Sequence, residues 1–159
     1  MKPQYDDIIK QSSKQYLHGY DWRLLKSQFF QESSFNPLAR SPAGALGFAQ
    51  IMPATWARFG DGDPLDARDS INAGARVMAD MLGQWSWPRP DIDRTCLALA
   101  SYNAGLGHIL KAQKLSGNAS GYAEIIAHLP AVTGDNHSAE TIGYVRKILS
   151  YWVTEVTRT

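Results

Sequence analysis

Cysteine is nearly absent from this chain of 159 residues: the single Cys96 excludes any internal disulfide, and a four-cysteine metal knuckle with it. It sits in the apolar run Cys96-Leu97-Ala98-Leu99-Ala100, the setting of a small buried thiol rather than a nucleophile. Charge of one sign is lacking too. Sixteen Lys and Arg against 15 Asp and Glu leave a formal +1, so no basic field points to nucleic acid as a partner. No run of ~18 apolar residues occurs, and none is predicted to span a membrane. The start, Met1-Lys2-Pro3-Gln4-Tyr5-Asp6-Asp7, places acids where a secretory signal needs an apolar core, so a chain made soluble in the cytoplasm is expected. Four histidines, at 18, 108, 128 and 137, have neither the i, i+4 spacing nor the cysteine company of a zinc site. Gly44-Ala45-Leu46-Gly47 has no following Lys-Ser or Lys-Thr to cradle phosphate, and no Gly-x-Ser-x-Gly elbow exists. With metal, phosphate-loop and serine chemistry set aside, carboxylates remain.

What is present is helical periodicity. Ile71, Ala75, Met78, Leu82 and Trp85 form one apolar stripe, and Ile142, Val145, Leu149, Trp152 and Val156 another. A helix over 22 to 33 is predicted behind Gly19 and the capping candidate Asp21. Others are predicted near 3 to 18, 54 to 59, 91 to 102, 106 to 116 and 122 to 129. The stretches 34 to 47, 60 to 64 and 130 to 137 carry Gly, Pro, Asn and Asp and are predicted to be irregular. Strand patterns are almost lacking, and no repeat or linker divides the chain. One mainly α domain over 1–159, acting as a monomer, is the expectation.

Within the helix predicted over 22 to 33, Leu25, Phe29 and Glu32 share a face, so Glu32 ends an apolar stripe at a helix C-terminus. Desolvation and the negative end of the helix dipole both disfavour an anion there, which is how a carboxyl is kept protonated to act as a general acid. Taken alone, the reading of Glu32 as an ordinary solvated residue of the last helical turn would win.

The surrounding residues add to this. Glu32-Ser33, Asn36-Pro37, Ser41-Pro42-Ala43-Gly44-Ala45 and Gly47-Phe48-Ala49-Gln50-Ile51-Met52-Pro53 follow in order. Downstream stand Ile71-Asn72-Ala73-Gly74, Tyr102-Asn103-Ala104-Gly105 and Glu140-Thr141-Ile142-Gly143-Tyr144-Val145. In these motifs, from about Trp22 to Trp152, the chain resembles the soluble lytic transglycosylases, family 1 catalytic domains of goose-type lysozyme fold. The resemblance implies a mainly α, lysozyme-like fold and a muramidase that cleaves the glycan strands of peptidoglycan without metal or cofactor. It implies Glu32 as the sole acid/base, and Ser41 and Gln50 as groups that orient the acetamido sugar. Tyr102 would face the acid across the cleft, and Glu140 would be a second cleft carboxylate. Asn103 and Tyr144 would also contact substrate, with a turn-satisfying Asn and a Tyr packed beside the C-terminal helix as their structural alternatives. Glu140 also suits the first turn of a helix starting near Ser138, where an acid complements the dipole.

Phe48-Ala49 stands where Leu-Met is usual in that family, and Ser101 where Ala is usual, so altered sugar packing is expected there. The stretch from Pro130 to Glu140 is longer than the family's.

After Glu32 the next acidic residue is Asp61. Ser41 and Gly47 fall where bacteriophage-type lysozymes of the Glu-x8-Asp-x5-Thr pattern carry Asp and Thr. The two carboxylates of an ordinary glycosidase are therefore hard to find, and a one-carboxylate mechanism suits the sequence; the resemblance implies that it closes a 1,6-anhydro sugar. A hydrolytic muramidase on the same scaffold and a non-catalytic wall-binding module stay open as alternatives. A catalytic domain without signal or anchor resembles a bacteriophage endolysin released by a holin, or a virion-associated lysin, acting on periplasmic peptidoglycan; a bacterial enzyme, trimmed or delivered through a secretion apparatus, is the alternative.

Overall fold

The computed structural model describes residues 1–86 and 88–158. Nine helices occur among them: α1 (Asp6–Tyr16), α2 (Trp22–Ser33), α3 (Pro53–Phe59), α4 (Ala67–Gln84), α5 (Asp91–Ala104), α6 (Leu106–Leu115), α7 (Tyr122–Ile126), α8 (Pro130–Thr133) and α9 (Asp135–Val156). The only extended pairing among the described residues is two isolated bridges, Arg40 with Leu46 and Leu46 with Ile51. The mainly α expectation holds. The chain separates into two compact units, residues 1–79 with 148–159 and residues 80–147.

In the first unit, α2 begins where Asp21 caps it. The Asp21 carboxylate accepts from the Arg23 backbone N–H at 3.0 Å and, through its other oxygen, from the Trp152 indole at 2.9 Å. This ties the start of α2 to the end of α9. Leu25 and Phe29, the predicted stripe, are fully buried. Lys26 lies beside them, also buried, its ammonium 2.8 Å from Asp6 of α1 and 3.1 Å from Glu155 of α9. Three helices are thus pinned by one cation that has two carboxylate partners. Gly74 of α4 lets this packing close, because a Cβ there would stand 2.6 Å from the Phe29 ring and 2.8 Å from the Ala49 methyl.

In the second unit, α5 is the central element, with Cys96, Leu97, Ala98, Leu99 and Ala100 all buried. Ser101 is buried too, and its hydroxyl accepts from the Trp85 indole at 2.8 Å while donating to the Leu97 carbonyl. Ser101 therefore takes part in the core directly before Tyr102. A correction concerns 130 to 137. Its Pro, Gly, Asp and Asn punctuation reads as a loop, yet Pro130 opens the short α8 and Asp135 starts α9 three residues earlier than predicted. Pro is tolerated in a first turn, where its missing N–H costs nothing, and Asp135 is the acid of the α9 first turn.

Candidate active site

Glu32 is the next-to-last residue of α2 and is half-buried. The helix stops there because Ser34 turns left-handed (φ 53°), followed by Phe35 in the same region (φ 65°). Two consecutive non-glycine residues with positive φ are unfavourable and persist only where packing holds them. The packing is aromatic. The Phe35 ring stacks on Phe48 at 5.5 Å, and Phe48 also meets Phe29 and Tyr5 edge-on. Phe48 and Ala49 are both fully buried. Their side chains therefore serve the packing under the loop rather than reaching solvent.

That loop carries the two other predicted residues of the first unit. Ser41 forms a tight turn: its backbone N–H donates to the Ala45 carbonyl at 3.0 Å, and its hydroxyl oxygen accepts from the Ala45 N–H at 2.9 Å. The hydroxyl proton remains to be donated. Gln50 has positive φ (50°), and its side-chain NH₂ donates to the carbonyls of Ala39 (3.1 Å) and Gly47 (2.9 Å). Both partners can only accept, so the orientation of the amide is fixed, and its oxygen is the atom left for a ligand N–H. Gly47 is obligatory here: at φ +77° a Cβ would stand 1.9 Å from the Pro64 carbonyl.

The second unit holds Tyr102, Asn103, Glu140 and Tyr144. Tyr102 is half-buried in the last turn of α5, and Tyr144 is buried on α9. The Asn103 side-chain oxygen accepts from the Thr141 hydroxyl at 2.8 Å, joining the ends of the Tyr-Asn-Ala-Gly and Glu-Thr motifs. A pocket of about 450 Å³ is lined by Asn103, Ala104, His108, Val132, Thr133, His137, Glu140 and Thr141. Asn103 and Glu140 are thereby brought to one cavity. Glu140 is strongly exposed and lies 3.9 Å from the His137 imidazole. Because α9 starts at Asp135, Glu140 belongs to its second turn, and the reading of Glu140 as a first-turn dipole partner is corrected.

Sequence reading missed His108 and His137 in this pocket. The His108 Nδ1 lies 2.7 Å from the Ala104 carbonyl, which can only accept, so Nδ1 carries a proton in that contact. An i, i+4 relation between a helix-end carbonyl and a histidine was the available signal. Among the described residues no three His, Cys, Asp or Glu side chains gather where they could share a metal ion. No helix among the described residues is long and apolar enough to cross a membrane.

Residues 8–125 match the family described as the Transglycosylase SLT domain. The membrane-bound lytic murein transglycosylase F of Citrobacter koseri is 35% identical over 147 residues, which are 89% of this chain and 28% of that protein. Among solved structures, the 70 kDa soluble lytic transglycosylase of Escherichia coli superposes with a TM-score of 0.70 at 27% identity, over 95% of this chain and 24% of that one. The lytic transglycosylase Slt of Pseudomonas aeruginosa, solved as an inactive glutamate-to-glutamine mutant, gives 0.73 at 25% identity, over 96% and 24%. The chain spans about a quarter of the length of these relatives.

Proposed function

The chain belongs to the Transglycosylase SLT domain family, and from that premise we propose that it is a peptidoglycan lytic transglycosylase, residues 1–159 forming one catalytic domain whose acid is Glu32. The observation that carries the reading is local: a half-buried carboxyl at the C-terminal end of α2, beside a loop held in left-handed backbone, with Ser41 and Gln50 on that loop. The inactive glutamate-to-glutamine form of the Pseudomonas aeruginosa relative supports a glutamate as the essential group. The family match crosses from the first unit into the second, which supports one domain built of both.

In the proposed reaction Glu32 donates its proton to the glycosidic oxygen between N-acetylmuramic acid and N-acetylglucosamine as the C1–O bond breaks. The substrate's acetamido oxygen stabilises the cation at C1. Gln50 suits the acetamido group because its NH₂ is engaged with the loop and its oxygen can accept the amide N–H. Ser41 retains one proton to donate. Glu32, now a carboxylate, takes the proton of the C6 hydroxyl while that oxygen bonds to C1 and closes a 1,6-anhydro ring. Water is neither consumed nor released. Asn103 and Glu140, in one pocket, and Tyr102 and Tyr144 are assigned to substrate binding.

Mass spectrometry of digested, purified peptidoglycan tests the reading. Muropeptides ending in 1,6-anhydro-N-acetylmuramic acid, resistant to borohydride, are expected, and Glu32→Gln should lower their release by ~10² to 10⁴-fold while the circular dichroism spectrum stays unchanged. Reducible termini about 18 mass units heavier would make the enzyme a hydrolase on this scaffold. A folded Glu32→Gln protein with normal turnover would remove Glu32 from the mechanism.

A further inference from the structure

One peptide group in the first unit is held at both ends by serines from different helices. Its carbonyl belongs to Phe48 and accepts from the Ser33 hydroxyl at 2.8 Å. Its N–H belongs to Ala49 and donates to the Ser70 hydroxyl oxygen at 3.1 Å. Ser33 follows Glu32 directly at the end of α2, and Ser70 lies 21 residues beyond Ala49, fully buried in α4. A peptide group is planar and resists rotation about its C–N bond, so fixing its oxygen and its hydrogen fixes the orientation of the whole unit.

Alternatives for the Ser33 hydroxyl are weaker. The Phe29 carbonyl, its ordinary partner within the helix, is 3.4 Å away, against 2.8 Å for Phe48. The single proton is therefore committed across the loop rather than along the helix. On the other side, Phe48 and Ala49 are fully buried, where loss of a hydrogen-bond partner cannot be made good by solvent. The residue after this peptide is Gln50, whose amide braces the carbonyls of Ala39 and Gly47. A tilt of the 48–49 peptide would therefore be felt at Glu32 through Ser33 and at the Ser41 loop through Gln50.

We propose that Ser33 and Ser70 are positioning residues that clamp the Phe48–Ala49 peptide and so set the place of the Glu32 carboxyl relative to the loop carrying Ser41 and Gln50. Neither serine touches substrate in this scheme. The inference rests on the assignment of Glu32 as the acid, but it makes a structural claim that can be read without turnover. It assigns a role to Ser70 on α4, far along the chain from the acid.

The test compares Ser33→Ala, Ser70→Ala, the double variant and Ser33→Thr, each well below its melting temperature. With soluble uncrosslinked glycan strands as substrate, each alanine variant should lose about three- to tenfold in kcat, the scale of one hydrogen bond, with KM little changed. The double variant should lose less than the product of the singles, because both act on one peptide. Ser33→Thr, which keeps the hydroxyl, should restore most of the rate. Independently of activity, the side-chain carboxyl ¹³C signal of Glu32 should shift in Ser70→Ala, and the Ala49 amide should exchange faster in Ser33→Ala than in the parent. An unmoved Glu32 signal in Ser70→Ala, or alanine variants that melt lower yet turn over at the parental kcat, overturns the clamp. A parent with no anhydro product but with the shifted Glu32 signal instead sinks the proposed reaction and leaves the clamp standing.

Discussion

Asp21 shows how much a single carboxylate can organise. It caps α2, forms a two-pronged pair with Arg23 and receives the indole N–H of Trp152. Burial alone would raise its pKa, but the hydrogen bonds from Arg23 and Trp152 outweigh that and hold it below the ordinary value. Glu155 follows the same logic: burial pushes it up, and the Met1 ammonium and Lys26 pull it further down. A group with a depressed folded pKa contributes stability that is full above its unfolded value, ~4 for a carboxyl, and is lost as pH falls through the folded one. The melting temperature should therefore drop between about pH 5 and pH 2, and Asp21→Asn should make the drop shallower; an identical acid slope for parent and variant would count against this account. Asp21 was legible from sequence because a capping residue declares itself by position, one residue before a periodic run. Ser70 was not, since a serine in an amphipathic pattern carries no sign of a partner 21 residues away. Gln50 was legible by its motif but not in its geometry: nothing in the letters says that its NH₂ is taken by backbone carbonyls.

Among the elements, α1, α2 and α9 depend on one buried cation. Lys26 is 2% exposed, and its charge is matched by Asp6 and Glu155. Removing it leaves Asp6 without its cation while Glu155 keeps the Met1 ammonium, and losing one partner of a buried pair typically costs up to about 3–5 kcal/mol. Lys26→Met, which keeps the volume of the stem, should thus lower stability by that order in urea denaturation. Asp6→Asn should cost less, because Glu155 still serves the ammonium. Equal midpoints for Lys26→Met and the parent would show that the pairing contributes nothing net. The helices announced by periodicity and a cap came out close to where they were expected, α2 over the whole of 22 to 33 and α3, α5 and α6 to within two residues at either end. The errors cluster where punctuation residues play helical parts. At 130 to 137 the letters of a loop are a proline that starts one short helix and an aspartate that starts a long one. Composition cannot separate these uses, because both residues suit turns and first helical turns alike: Pro has no N–H to satisfy, and the Asp carboxylate accepts from free backbone N–H groups.

For the molecule as a whole, the proposed chemistry depends on proton transfer and on groups the glycan itself carries. Activity on peptidoglycan is accordingly expected to be unchanged by EDTA, and restoration by Zn²⁺ of a rate lost in chelator would contradict the mechanism. The chain spans only about a quarter of the length of its relatives, so catalysis by residues 1–159 alone is itself part of what the digest measures. Cys96 offers a way to watch the second unit breathe. Its thiol is buried in α5, and burial, with the negative charge of Asp93 adding to it, pushes its pKa up to about 11. At pH 8 the folded chain then presents almost no thiolate, and the sulfur is shielded from reagents as well. Alkylation by iodoacetamide should wait for the opening of α5, so the modification rate becomes a stopwatch for local unfolding. With one cysteine in the sequence, the clock needs no engineering. Binding of a glycan strand to the pocket at Asn103 and Glu140 should slow that clock, and a rate indifferent to saturating glycan would place the ligand elsewhere.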